Sequence, residues 1–222
     1  MNSKAPRYKG IIFDLDGTLM NTAEGVLSSV RYTIEKKGFP PLSDEIMRTF
    51  IGPPVKRSFT SIYDLEEDEA SEATEIFRNH YKDYDLLKAV PYDGMMDLLQ
   101  KLKEQGYLIG VATLKRDDYS KTLLKHYHIA EYCTAICGSD FASKMLKIDV
   151  LNNCLQEMGL SKDEAVLIGD TSSDGRGAEQ ADMDFIAVTF GFGYRTAEEW
   201  SVYHPVFTAD KVTQIGEFLQ LK

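Results

Sequence analysis

The chain has 222 residues, with 25 Lys plus Arg against 35 Asp plus Glu and a formal net charge of −10. That length suffices for one large domain or a core domain with an insert, and the acidic balance excludes a general nucleic-acid binder, which carries a basic face. Cys133, Cys137 and Cys154 form no zinc pattern with nearby histidines and read as small buried hydrophobes of a reducing compartment. The opening segment Met1-Asn2-Ser3-Lys4-Ala5-Pro6 is no signal peptide. No apolar run approaches the roughly 20 residues of a membrane span, so a cytoplasmic protein without a membrane partner is expected.

Gly10-Ile11-Ile12-Phe13 reads as a buried strand, and two carboxylates, Asp14 and Asp16, follow it directly, with Gly17-Thr18 as a turn. Burying like charges at a strand end is costly unless a metal ion or a proton compensates. In a parallel α/β sheet that end is where ligands bind. A calcium loop starting at Asp14 would need a Glu at its twelfth position, which is Gly25, so that reading fails.

Helical spacing then begins. Val26, Leu27, Val30 and Ile34 share a face between Asn21 and about Lys37, and Gly38 ends the helix. Ser43-Asp44-Glu45 starts another, with Ile46, Met47 and Phe50 on one face, and Gly52-Pro53-Pro54 breaks it. Two further helical segments are predicted from about Asp68 to Tyr81. No strand interrupts residues 21 to 85, which marks an all-helical insert. After Pro91-Tyr92-Asp93-Gly94 the pattern alternates. Helices over Met95–Gln105, Tyr119–Tyr127, Ile148–Met158, Asp174–Gln180 and Val212–Leu219 interleave with strands at 108–112, 134–137, 166–169, 185–188 and 206–207. Such alternation implies a doubly wound, Rossmann-like parallel sheet. The predicted domains are an α/β core of residues 1–20 and 88–222 and a helical cap of residues 21–87.

Asp14-Leu15-Asp16-Gly17-Thr18 resembles the first signature of the haloacid-dehalogenase-like hydrolases, and the resemblance extends motif by motif along nearly the whole chain. The helical insert, Gly52-Pro53-Pro54 and Pro91-Tyr92-Asp93-Gly94 resemble the phosphoglycolate-phosphatase-like branch. The resemblance implies that Asp14 is a nucleophile that becomes a phosphoaspartate and that Asp16 is general acid and base. Thr113, after the second core strand, would hydrogen-bond a phosphate oxygen, with Gly17 and Leu114 offering backbone N–H groups, although Leu114 stands where a polar residue is common. Lys144 or Lys147 would neutralise the phosphate, Lys147 resembling the family placement, with Ile148 where many relatives have proline. Gly169-Asp170-Thr171-Ser172-Ser173-Asp174 resembles the fourth signature, and its acids point to Mg²⁺, a hard cation that takes oxygen ligands. Asp14, the carbonyl of Asp16, and Asp170 would bind it, and Asp174 would bind it or orient a bound water.

The resemblance therefore implies a Mg²⁺-dependent phosphatase of a small phosphate monoester such as phosphoglycolate, a sugar phosphate or a nucleoside monophosphate. The cap would close over the substrate, with Arg48, Lys56 and Arg57 as candidates for an anionic tail. A phosphomutase of the same fold is the alternative, although mutases tend to carry a bulkier apolar residue where this chain has Thr18. Dehalogenation is disfavoured because that branch lacks the acid at Asp16. An idle binding protein on the same fold is the remaining class. A monomer or weak homodimer is expected.

Overall fold

The computed structural model describes residues 8–142 and 144–222. The opening segment 1–6, read above for a signal peptide, lies outside the described residues. The chain divides into two compact units, Met1–Leu19 with Pro91–Lys222, and Met20–Val90.

The first unit is built on a six-stranded sheet. In chain order its elements are β1 (Gly10–Phe13), then, beyond the helical unit, α5 (Met95–Glu104), β4 (Leu108–Arg116), α6 (Asp117–His126), β5 (Ala135–Ser139), α7 (Lys147–Met158), β6 (Ala165–Gly169), α8 (Ser172–Ala181), β7 (Asp184–Val188), α9 (Ala197–Trp200), β8 (Phe207–Ala209) and α10 (Val212–Phe218). The strand order is β5-β4-β1-β6-β7-β8, and every pairing is parallel. Ile11, Ile12 and Phe13 are fully buried. A central parallel strand covered on both faces reads as a continuous apolar run because neither face meets water. One part of the core packs Ile12, Leu167 and Phe185 against Val150, Leu151, Leu155 and Met158 of α7, with Trp200 closing it.

Register decides where the polar residues meet. Phe13 lies opposite Val111 on β4 and Ile168 on β6. The residues just past these three, Asp14, Ala112-Thr113 and Gly169-Asp170, therefore reach the same end of the sheet. The Asp14 N–H still donates to the Ile168 carbonyl at 2.9 Å, which carries the ladder one step beyond the strand.

The second unit holds α1 (Ala23–Lys37), α2 (Asp44–Arg48), α3 (Val55–Tyr63), α4 (Glu67–His80) and a π-helical turn, Tyr81–Asp85. Met20–Asn21 (β2) and Val90–Pro91 (β3) form a two-stranded sheet. Gly38, at φ 66°, ends α1 and returns its N–H to Glu35 and Ile34 carbonyls. Phe50 and Phe59 meet edge to face at 4.9 Å. Asp85, fully buried, accepts from the Ser29 hydroxyl at 2.7 Å and pairs with Lys88 at 2.7 Å, tying α1 to the end of the unit.

The short β2, β3 and α9 are absent from the sequence expectation, and three further elements depart from it. Helix α3 was not predicted, since its run of Lys, Arg, Ser and Thr buries only Ser58 and Phe59. The two segments expected over 68–81 are one helix that widens into the π turn. Strand β4 runs on past Ala112 to Arg116, because its polar end finds partners inside the protein instead of water. Cys137 and Cys154 are buried free thiols, and Cys133 is half-buried. No described helix is long and apolar enough to cross a membrane.

Candidate active site

Asp14 closes β1, and the chain turns immediately, with the Leu19 N–H returning to the Leu15 carbonyl at 3.1 Å. Gly17 sits at φ 92°, and a Cβ there would lie 2.1 Å from the Asp170 Oδ2 atom, so both the backbone and the space require glycine. The Thr18 hydroxyl donates to Asp170 Oδ1 at 3.0 Å, and the Phe192 N–H donates to Oδ2 at 2.7 Å. Asp170 is thus fixed from two sides.

Asp174 is the third residue of α8. Its Oδ2 accepts the Thr171 N–H at 2.9 Å and the Thr171 hydroxyl at 2.7 Å, while Oδ1 lies 2.7 Å from Lys147 Nζ. It caps a helix and belongs to the site at once. Asp14, Asp170 and Asp174 are all buried and can bring one oxygen each within 4.8 Å of one another.

Lys147 opens α7, and its side chain is 3% exposed. A helical side chain leans toward the helix N-terminus, which here carries Nζ to Asp14 Oδ1 at 2.5 Å and to the Ala112 carbonyl at 2.6 Å. Lys144 is exposed, and its backbone N–H donates to Asp140. Of the two lysines, Lys147 is the one in contact with Asp14.

Charge balance explains the electrostatics. Burial raises the Asp14 carboxyl to about 7; Lys147 opposes the shift, and Asp174 adds to it. Asp170 is likewise pushed well up by burial and then by Asp174 and Asp14, against the pull of the Phe192 N–H and the Thr18 hydroxyl. For Lys147, burial favours the neutral amine, yet Asp14 and Asp174 outweigh it and hold the ammonium above its usual range. Carboxylates raised by their own burial and by each other are short of positive charge, and all their donor atoms are hard oxygens. A small hard divalent cation fits that set.

The remaining predicted residues fall as follows. The carboxylate of Asp16 faces Lys115, whose Nζ lies 2.9 Å from Oδ1 and 3.2 Å from Oδ2. Thr113 is buried and accepts the Lys115 N–H at 3.2 Å, so it caps no helix; α6 begins only at Asp117. Leu114 is half-buried beside it. Arg48 and Arg57 are exposed on the helical unit, and Lys56 ion-pairs Glu67 there.

Lys115 and Phe192 were not singled out from the sequence, and Tyr92 appeared there only within the Pro91-Tyr92-Asp93-Gly94 segment, with no role at the site. Tyr92 packs its ring on Phe190 at 4.8 Å, and its hydroxyl is raised by burial and by the charge of Asp170. Phe192 acts through a backbone N–H, which leaves no mark in a sequence. For Lys115 the available signal was a lysine two residues beyond Thr113.

Known proteins resemble this chain along most of its length. A 5'-nucleotidase of Pseudomonas aeruginosa is 28% identical over 221 residues, covering 99% of each chain. A phosphoglycolate phosphatase of Vibrio parahaemolyticus is 26% identical over 218 residues, covering 94% of this chain and 95% of its own. The crystal structure of a protein from Clostridium acetobutylicum, described as a predicted phosphatase, superposes with a TM-score of 0.89 at 34% identity, covering 96% of this chain and 99% of that one. The haloacid dehalogenase-like hydrolase profile matches residues 11–188, from β1 through β7, the span that holds Asp14, Asp16, Asp170, Asp174, Lys115 and Lys147, and the chain belongs to that family.

Proposed function

We propose that the protein is a Mg²⁺-dependent phosphatase that hydrolyses a small phosphate monoester through a phosphoaspartate on Asp14. The observation that carries this reading is the buried group of Asp14, Asp170 and Asp174 at the sheet's C-terminal edge, with Lys147 on Asp14. Relatives named as phosphatases or a nucleotidase support it.

The first unit acts as the catalytic core. An Asp14 oxygen attacks phosphorus in line, and the bond to the ester oxygen breaks. Asp16, as the carboxylic acid, gives its proton to the departing oxygen. Asp16 then takes a proton from water, whose oxygen attacks the phosphorus and releases phosphate and the free Asp14 carboxylate. Acid–base assistance of this kind contributes about 10²–10⁴-fold. The Thr113 hydroxyl, the N–H groups of Gly17 and Leu114, and Lys147 hold the phosphoryl oxygens. Asp14, the Asp16 carbonyl, Asp170 and Asp174 would hold Mg²⁺, which would supply positive charge to offset the repulsion between nucleophile and phosphate.

The helical unit acts as the cap and reads the leaving group, with Arg48, Lys56 and Arg57 as its cations. Phosphoglycolate, sugar phosphates and nucleoside monophosphates are the substrate classes to assay. The test is phosphate release from such a panel with Mg²⁺, together with acid-quench trapping of labelled enzyme. Hydrolysis with a hydroxylamine-labile label lost in Asp14→Asn is expected. Absence of release from every ester, generic aryl phosphates included, would overturn the reading.

A further inference from the structure

Strand β4 loses its regular pairing just where the site begins. Ala112 lies opposite Cys137 and Arg116 opposite Ser139, so three residues on β4 stand against the single Gly138 on β5. Surplus residues on one strand break the alternation of faces and re-aim side chains, and such irregularities cluster next to active sites. The residue re-aimed here is Lys115. Its side chain is 7% exposed, and its Nζ spans both oxygens of Asp16. The opposing strand is shaped to allow this. A Cβ on Gly138 would lie 2.8 Å from the Lys115 carbonyl oxygen and 2.4 Å from the Asp117 Cα. The Gly138 N–H also clamps the corner by donating to Asp117 Oδ1 at 3.1 Å.

The two acids of the first motif therefore each have their own ammonium, Lys147 on Asp14 and Lys115 on Asp16. The demand on Asp16 is geometric. Its carboxyl must serve first the leaving oxygen and then a water at the same place, yet an aspartate carboxyl turns about a broad, roughly two-fold torsion. A cation touching both oxygens stops that rotation.

We propose that Lys115, seated by the irregularity opposite Gly138, is a positioning residue that fixes the plane of Asp16 for both proton transfers. The proposal rests on the reading of Asp16 as acid and base.

Lys115→Met, Lys115→Arg, Gly138→Ala, Asp16→Asn and the double variant Lys115→Met/Asp16→Asn test it, each against an alkyl phosphate and p-nitrophenyl phosphate with Mg²⁺. The p-nitrophenolate leaves without needing a proton. A misplaced acid should therefore slow cleavage of the alkyl ester far more than cleavage of the aryl ester, and should let phosphoenzyme accumulate for want of a base. Lys115→Met is expected to lower kcat on the alkyl ester about 100-fold, the scale of a roughly 1 Å misplacement, with KM nearly unchanged. Lys115→Arg should recover most of that loss, and Gly138→Ala should show the same signature without touching the lysine. Added to Asp16→Asn, the Lys115 change should cost nothing further, since both act through one group.

Equal losses on the two esters without trapped phosphoenzyme in Lys115→Met, while Asp16→Asn shows the signature, would overturn the proposal alone. A full additional loss in the double variant would do the same. If Asp16→Asn itself lacked the signature, the acid–base reading would fall and this proposal with it. A misfolded Lys115→Met protein, judged by near-ultraviolet circular dichroism, leaves Lys115→Arg and Gly138→Ala to decide. Wild-type phosphoenzyme levels and leaving-group dependence in Gly138→Ala would then count against it.

Discussion

Replacing Lys147 by Met would remove an ammonium that touches Asp14 Oδ1 at 2.5 Å, Asp174 Oδ1 at 2.7 Å and the Ala112 carbonyl at 2.6 Å, with 3% of the side chain exposed. Methionine fills similar space, so the change is mainly one of charge. Breaking a buried pair from one side leaves an uncompensated charge and costs about 3–5 kcal/mol. At about 2–4 °C of Tm per kcal/mol for a chain of this size, metal-free Lys147→Met should melt roughly 6–20 °C below wild type. Removing the charge from both sides is far less harmful, so Lys147→Met/Asp14→Asn should regain a substantial part of the loss. Mg²⁺ should raise the Tm of the single variant more than that of wild type, because it restores the missing positive charge. The assay is thermal unfolding by circular dichroism at pH 8, in chelator and in Mg²⁺. A double variant no more stable than the single one would refute the argument, since the contact with Asp14 would then not be the source of the stability.

Metal-free wild type should also show a particular pH dependence. A carboxyl raised from 3.8 to about 7 by burial binds more protons in the folded state, so its contribution is fully present below about 4 and is lost as pH rises through 7. That amounts to roughly 4 kcal/mol at most, and Asp14→Asn should flatten the profile measured by urea unfolding in chelator. Chelation should abolish turnover and Mg²⁺ restore it. Ca²⁺ should inhibit, because its larger and more flexible shell lets Asp14 bind through both oxygens; undiminished phosphate release in excess chelator would end the metal reading. Arg48→Ala should raise KM for the preferred substrate and barely change kinetics on p-nitrophenyl phosphate. Proportional losses on both would assign Arg48 to stability.

The strands were readable in the sequence because parallel strands covered on both faces are unbroken apolar runs. The acids at Asp14, Asp16, Asp170 and Asp174 stood out as charges placed directly after such runs. What escaped depends on contacts distant in the chain. Lys115 follows the point where an apolar reading of β4 stops, and its aim is set by pairing with β5, which a local pattern does not contain. Both Lys144 and Lys147 precede the same apolar spacing; only the helix start at Lys147 turns one of them inward. Helix α3 was missed because its buried face is a serine and a phenylalanine.

The pairing of β1 with β4 and β6 has a consequence for biosynthesis. β1 leaves the ribosome before both its neighbours, which lie beyond the helical unit, β6 as late as Ala165. At about 5–20 residues per second, β1 waits roughly 8–30 s for its second partner. Until β4 is made Ile11, Ile12 and Phe13 lack both strand neighbours, and until β6 is made one edge of β1 stays open to pairing with other nascent chains. The helical unit, complete by Val90, emerges within that interval, so the order of synthesis favours helices forming before the sheet that holds the catalytic acids.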